Sequence, residues 1–142
     1  MYSFLQKYRF YIVNVPLVIY WIILLILTSL PSSMAINMDV SDKIEHFGAY
    51  GLLGVFLYLN LFLQEKFALL KKYPATFTVI IASIYGLLDE LHQLFVPGRS
   101  AELLDWLADF LGSLTAVLIT RYLVKKIKQN EIEKSKLKAG TF

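Results

Sequence analysis

Four long apolar stretches dominate the pattern of hydrophobic and polar positions along the chain. They run over Tyr11–Leu30, Phe47–Leu63, about Tyr73–Phe95 and about Leu103–Leu123. A helix needs roughly 20 apolar residues to cross a hydrocarbon core of about 30 Å, and each stretch is close to that length. Helix-breaking residues follow the first stretch at Pro31 and the third at Pro97. The pattern therefore predicts four membrane-spanning helices.

The composition places the chain outside the class of water-soluble enzymes. Of its 142 residues, 57% are hydrophobic and only 18% are charged, whereas soluble domains average about 45–50% and about 25%. The chain has no cysteine, which excludes disulfides, zinc–thiolate centres, iron–sulfur clusters and thiol nucleophiles. Its basic residues flank apolar stretches and form no separate stripe, so nucleic-acid binding is not expected. The composition predicts an all-α protein whose partner is a lipid bilayer.

The basic residues are distributed unevenly about the four predicted helices. All of the 14 lysines and arginines except Lys43 and Arg99 lie in the N-terminal flank, in the loop between the second and third helices, or at the C-terminal end. Cytoplasmic segments of membrane proteins are enriched in Lys and Arg. We therefore predict a four-helix transmembrane bundle with up-down connectivity and with both termini cytoplasmic.

The same pattern divides the chain into three segments. Residues 1–10 form a cytoplasmic flank, residues 11–124 the membrane domain, and residues 125–142 a basic cytoplasmic tail. The tail is rich in Lys, Glu and Gln, and such a composition is typical of a solvated segment with too little apolar surface to fold alone. We expect a short helical extension there, followed by partial disorder.

Four carboxylates interrupt the apolar pattern at positions that a bilayer disfavours. Asp89 and Glu90 lie near the end of the third predicted helix, and Asp105 and Asp109 lie near the start of the fourth. An ionisable side chain near the bilayer centre costs about 2.5–3.5 kcal/mol on insertion scales and usually faces the interior of the bundle. Carboxylates this close together cannot all stay ionised without a counter-charge, a metal ion or a shared proton. We therefore expect a polar site inside the bundle, near its extracytoplasmic end.

The spacing of the polar residues places them on one face of each helix, because residues three or four apart share a face. The residues that share a face are Asp42, His46 and Tyr50 on the second helix, Tyr85, Asp89, His92 and Gln93 on the third, and Asp105, Asp109 and Gly112 on the fourth. The loop that follows the third helix carries Arg99, a residue type suited to bidentate binding of carboxylate or phosphate. The three faces and this loop are predicted to form one pocket, which also includes Lys43 and Glu90.

Three sequence blocks carry the polar residues of this pocket. They are residues 42–50 (DKIEHFGAY), residues 85–99 (YGLLDELHQLFVPGR) and residues 105–112 (DWLADFLG). Together they resemble the VanZ-like family of integral membrane proteins, and the resemblance covers about residues 11–124. It implies a multi-pass protein of the bacterial cytoplasmic (inner) membrane that is linked to the cell envelope, in a family named for teicoplanin resistance. Asp109 stands where the family often carries Asn, and this additional acid favours binding of a metal ion or a proton.

One hypothesis is an enzyme that acts on an envelope lipid or a lipid-linked precursor. Its candidate catalytic residues are His46, Asp89, Glu90 and Asp109, and its candidate substrate-binding residues are Lys43, Tyr50, Tyr85, Gln93, Arg99 and Asp105. His46 would be a general base or a metal ligand, because imidazole titrates near neutral pH. Asp89 and Glu90 would act as an acid/base pair, and Arg99 would hold a phosphate or carboxylate group. The oxygen-rich set of His46, Asp89, Asp105 and Asp109 would suit a divalent cation.

Other hypotheses also fit the sequence. The polar pocket could bind or shield a glycopeptide or a peptidoglycan precursor without turnover, or it could relay protons in a transporter. Four helices are few for a transporter, so transport would require a homo-oligomer, and no inverted repeat is visible. A buried ionic network that only fixes the positions of the helices is the structural alternative.

Overall fold

The computed structural model describes residues 2–34 and 42–139, and within these ranges it is all-helical. The helices are α1 (Tyr2–Lys7), α2 (Val15–Ser29), α3 (Asp42–Leu63), α4 (Ala68–Lys72), α5 (Pro74–Gln93) and α6 (Leu103–Ala139). The helices long and apolar enough to cross a membrane are Phe10–Ser29, Asp42–Leu63, Pro74–Gln93 and Leu103–Leu137. The predicted all-α, four-helix transmembrane architecture is confirmed. Residue 1 of the predicted N-terminal flank and residues 140–142 of the predicted tail lie outside the described residues.

A π-turn leads into α2. It covers Phe10–Asn14, and the backbone N–H of Val15 donates a hydrogen bond to the carbonyl of Phe10. Pro16 has no N–H for the Ile12 carbonyl, and its ring would clash with that carbonyl in a regular α-helix. The wider π-turn gives the backbone another hydrogen-bonding pattern just before the proline. The first span therefore stays helical from Phe10 to Ser29 despite its proline.

Helix α3 begins at Asp42, five residues before the start that the apolar pattern predicts. Its first turn carries the acidic residues Asp42 and Glu45, and negative side chains stabilise a helix N-terminus through their interaction with the helix dipole. The earlier start makes Lys43 and His46 part of the helix. Their side chains therefore have fixed positions relative to the membrane-spanning part of α3.

Helix α6 continues to Ala139, well beyond the short extension that the sequence predicts. Lys, Glu and Gln have high helix propensity. Glu131 and Lys134 are three residues apart, as are Glu133 and Lys136, and opposite charges at this spacing support a helix. The membrane-spanning part of α6 also supplies a nucleus from which the polar part can propagate.

Helices α3 and α6 approach each other so closely that their backbones are in contact. A Cβ atom added to Gly112 would lie 2.1 Å from the carbonyl oxygen of Phe47, and one added to Gly54 would lie 3.1 Å from the backbone of Ser113. Small residues allow membrane helices to pack at short distance. Because α6 carries Asp105 and Asp109 and α3 carries His46, this contact brings these side chains together.

The apolar core lies beside this contact, among α2, α3 and α5. Its buried members are Leu17, Leu24, Tyr50, Leu53, Leu57 and Ala82, with Trp21 and Tyr85 packed against them. Tyr50 belongs both to this core and to the predicted polar face of α3. The core therefore forms the floor of the polar region that lies where α3 begins and α5 ends.

Candidate functional site

Five polar side chains are buried at the end of the bundle where α3 begins and α5 ends. They are Asp89, Glu90, Gln93, Asp105 and Asp109, and none is more than 6% exposed. Burying so many carboxyl groups is costly unless each is paired or hydrogen-bonded. The predicted convergence of polar residues from three helices is present, and the partners of each carboxyl group indicate what it can do.

His46 and Asp109 form the centre of the site. The Nδ1 atom of His46 lies 2.9 Å from Oδ1 of Asp109, whose side chain is fully buried. The other oxygen, Oδ2, has no hydrogen-bond partner among the described residues. It packs against the backbone of Gly86, where an added Cβ would lie 2.8 Å away. A carboxylate that accepts a hydrogen bond from one ring nitrogen fixes the orientation and tautomer of the imidazole.

Glu90 lies next to this pair. Its Oε2 accepts a hydrogen bond of 2.7 Å from the backbone N–H of Glu102, in the loop before α6. Its Oε1 is buried and has no partner in the described part of the chain. His46, Glu90 and Asp109 each offer a ligand atom, and these atoms lie within 4.8 Å of one another. These three residues could therefore hold a divalent cation, which differs from the predicted set by including Glu90 in place of Asp89 and Asp105.

Asp89 accepts a hydrogen bond from Tyr50 of α3. The hydroxyl of Tyr50 donates to Oδ2 of Asp89 over 3.3 Å. The Tyr50 ring lies 5.9 Å from that of Tyr85 between centroids, and the buried Tyr85 hydroxyl has no partner among the residues that the structure describes. Asp89 is thus adjacent to the centre, with a tyrosine hydroxyl on its carboxylate.

Lys43 forms ion pairs with two carboxylates at the edge of the site. The Lys43 ammonium lies 2.8 Å from Oδ1 of Asp105 and 2.7 Å from Oε2 of Glu102. The hydrogen bond and charge of Lys43 hold the pKa of Glu102 below its usual range. The sequence analysis predicts Lys43 and Asp105 to be substrate-binding residues, whereas in the structure each of them is paired with a protein side chain.

Two cavities meet at the site. A polar cavity of about 150 Å³ is lined by Ser32, Asp42, His46, Gln93, Gly98, Arg99, Ser100, Glu102 and Asp105. A mainly apolar cavity of about 110 Å³ is lined by Leu24, Leu27, Thr28, Glu45, His46, Ala49, Tyr50, Asp89, Gln93 and Arg99. His46, Gln93 and Arg99 line both cavities. A molecule with a polar and an apolar part could therefore contact His46 at the junction of its two parts.

Arg99 is held at this junction by the loop after α5. Its Nε donates to the carbonyl of Leu30 over 3.4 Å, and no carboxylate in the described ranges lies within ion-pairing distance of its guanidinium. Gly98 adopts a positive φ of 74°, which only glycine adopts readily. The turn directs Arg99 towards the cavities, where its charge is available to an anion.

Sequence reasoning missed the contribution of α2 and the role of Glu102. Leu24, Leu27 and Thr28 of α2 line the apolar cavity. A uniformly apolar sequence does not indicate which side of its helix faces a cavity and which side faces lipid. Glu102 binds Glu90 through its backbone and Lys43 through its side chain. His92 is exposed and lies 3.0 Å from the hydroxyl of Ser29 through its Nε2, so the structure places it outside the polar centre.

The fold and the buried polar centre define a multi-pass membrane protein with a candidate site at one end of its helical bundle. The family model described as VanZ/LLP1 matches residues 15–125, and the chain therefore belongs to the VanZ/LLP1 family. Comparison with curated proteins and with solved structures finds no match to this chain.

Proposed function

We propose that the protein is an enzyme that hydrolyses a bond in the headgroup of an envelope lipid or a lipid-linked precursor. The observation that carries this proposal is the junction of the polar and apolar cavities at His46, Gln93 and Arg99. A lipid has this same division into a polar and an apolar part. The proposal places the site at the extracytoplasmic face of a bacterial inner membrane, with both termini cytoplasmic.

The two cavities would orient the substrate. The start of the hydrocarbon chain would lie against Leu24 and Leu27 of α2, and the headgroup would occupy the polar cavity. Arg99 would bind a phosphate or carboxylate oxygen of the headgroup, because the planar guanidinium forms paired hydrogen bonds with such groups. This arrangement would bring the bond next to the charged group close to His46.

The chemistry would be general acid–base catalysis. His46 would accept a proton from a water molecule through Nε2, since Nδ1 is engaged by Asp109. The water oxygen would attack the phosphorus or carbonyl carbon of the headgroup ester, and Glu90 in its protonated form would donate a proton to the departing oxygen. Proton transfer from the imidazolium to Glu90 would restore both groups. Asp109 would stabilise the imidazolium that forms between these steps, as in other acid–base centres.

The direct test is product formation from lipids by purified protein in nanodiscs. Envelope lipids incubated with wild type and with His46→Gln should differ in products detected by mass spectrometry, with a rate loss of about 10²-fold or more in the variant. His92→Gln is the matched control, because His92 is the other histidine of the chain and lies outside the centre. Equal product formation by wild type and His46→Gln would contradict the proposal.

The same assay separates two neighbouring mechanisms. If chelation abolishes product formation and Zn²⁺ restores it, His46 acts as a metal ligand together with Glu90 and Asp109 instead of as a base. Saturable binding of a lipid-linked precursor or a glycopeptide such as teicoplanin, without product, would favour the binding or shielding function. The Arg99 guanidinium, which forms no ion pair among the described residues, favours that second function too, since anion binding requires no turnover.

A further inference from the structure

A third cavity lies at the opposite end of the bundle from the polar centre. It has a volume of about 260 Å³ and is lined by Tyr58, Phe62, Lys71, Lys72, Tyr73, Pro74, Ala75, Thr76 and Arg121. Three of these residues are cationic and none is acidic. The residues come from α3, the end of α4, the start of α5 and the middle of α6, so an occupant would bridge all of these elements.

Two of the cations are available to a ligand. Lys71 is ion-paired with Glu65 at 2.5 Å. Lys72 and Arg121, in contrast, have no ion pair with any carboxylate that the structure describes. The Lys72 ammonium lies 5.2 Å from the centroid of the Tyr73 ring, an exposed contact that leaves its N–H donors accessible. The cavity thus presents net positive charge.

The start of α5 adds backbone donors to this charge. The helix begins at Pro74, and Tyr73 before it provides no side-chain cap. The first N–H groups of a helix have no carbonyl partner within it, and those of Ala75 and Thr76 have no partner elsewhere in the described ranges. A helix N-terminus with free N–H groups favours binding of phosphate.

The Tyr58 side chain provides an independent observation. Tyr58 is only 3% exposed, and it lines the cavity. Its hydroxyl has no hydrogen-bond partner among the described residues, so its proton is available to an occupant of the cavity. An anionic oxygen there would accept this hydrogen bond.

We propose that this cavity binds the phosphate group of an anionic phospholipid in the membrane leaflet at the basic end of the bundle. Arg121 and Lys72 would pair with the phosphate, and the N–H groups of Ala75 and Thr76 would donate to its oxygens. Phe62 and Pro74 give the cavity an apolar edge for the glycerol and first methylene groups. Basic pockets between membrane helices recognise lipid headgroups in this way. The lipid would join α3, α5 and α6 at the end opposite the candidate catalytic site.

The test measures lipid binding to the full chain in detergent by native mass spectrometry and by thermal stabilisation. Phosphatidylglycerol should bind saturably and phosphatidylcholine should bind weakly. Arg121→Gln should weaken phosphatidylglycerol binding about fivefold, the value for loss of one cation near an anionic lipid. Tyr58→Phe keeps the packing and removes only the hydroxyl, and it should weaken binding by about fivefold as well. Lys126→Gln removes an equal charge from α6 outside the cavity and should leave binding unchanged.

Two results would overturn the proposal. Equal losses in Arg121→Gln and Lys126→Gln would mean that general surface charge attracts the lipid. Inorganic phosphate that competes as strongly as phosphatidylglycerol would assign the cavity to a free phosphate instead of a lipid. If Arg121→Gln fails to fold, Tyr58→Phe still tests whether the lipid occupies this cavity. Weaker binding would then follow from the loss of a single oxygen atom, and unchanged binding would contradict the proposal. None of these outcomes depends on the lipid hydrolysis proposed for the other end.

Discussion

At the scale of single residues, the position of Asp109 depends on a glycine that faces it. Gly86→Ala would place a Cβ 2.8 Å from Oδ2 of Asp109 and 3.3 Å from the Tyr50 ring. We expect the variant to displace Asp109, to lose most of the proposed lipid hydrolysis and to lose about 1–3 kcal/mol of stability through overpacking. Activity in nanodiscs and thermal unfolding measure the two effects.

Gly48→Ala is the control for this substitution. It makes the same change on α3, where the added Cβ would have no neighbour within 4 Å. Alanine has the higher helix propensity by up to about 1 kcal/mol, so this variant should be as stable as wild type or slightly more stable. Equal behaviour of the two variants would show that Asp109 is not confined by Gly86.

The ion pair of Glu102 with Lys43 predicts a specific pH dependence. Lys43 holds the pKa of Glu102 below its ordinary value of 4.5 in the folded protein. Glu102 therefore contributes stability above pH 4.5, and this contribution disappears as the pH falls through the lower folded-state value. The stability difference between wild type and Glu102→Gln should thus be constant near neutrality and shrink towards zero as the pH falls below 4.5. Melting temperatures of both proteins between pH 3 and pH 7 measure this, and a difference independent of pH would contradict the role of Lys43.

Sequence periodicity predicted which residues converge but not which atoms pair. The spacing of His46 and Tyr50 on one helix and of Asp105 and Asp109 on another is visible in the chain, because i and i+4 share a face. The pairs themselves join residues that are far apart, such as His46 with Asp109 and Lys43 with Asp105. Periodicity contains no information on the relative rotation and height of two helices, so these pairs could not be derived from it.

At the scale of the helices, the contact between α3 and α6 is the most sensitive to added volume. Gly112→Ala would place its Cβ 2.1 Å from the Phe47 carbonyl oxygen, a backbone atom that cannot move without separating the helices. We expect a loss of stability at the upper end of the range of about 1–3 kcal/mol for overpacked cores. Gly51→Ala lies on the same interface, but its nearest neighbour would be at an ordinary 3.5 Å, so it should be tolerated. Thermal unfolding of both variants in one detergent tests the difference.

The sequence predicted helix ends accurately where an apolar stretch ends, and poorly where a helix continues into polar sequence. The spans that become Phe10–Ser29 and Pro74–Gln93 agree with the apolar stretches to within about two residues. The start of α3 at Asp42 and the continuation of α6 to Ala139 lie in polar sequence. In these polar segments, helix formation depends on the interaction of charged side chains with the helix dipole, on the spacing of opposite charges, and on propagation from the membrane-spanning part of the same helix.

At the scale of the whole molecule, the predicted orientation can be tested by cysteine labelling without first removing native cysteines. The chain has no cysteine, so Ser100→Cys and Ser135→Cys each introduce a single thiol. The distribution of Lys and Arg predicts that residue 135 is cytoplasmic and residue 100 extracytoplasmic. A membrane-impermeant maleimide should therefore label only Ser100→Cys in intact cells and both variants in lysed cells. Labelling of Ser135→Cys in intact cells would reverse the orientation and place the proposed lipid hydrolysis in the cytoplasmic leaflet.

The uninterrupted length of α6 joins the two ends of the bundle through one continuous element. Its 37 residues correspond to about 55 Å at 1.5 Å per residue. The helix carries Asp109 of the polar centre near one end and Arg121 of the basic cavity twelve residues further on, about 18 Å along its axis. A shift of α6 along its axis would therefore move Asp109 relative to His46 and Arg121 relative to the start of α5 by the same amount. An occupant that fixes the height of α6 at the basic end would in this way also fix the geometry of the His46–Asp109 pair.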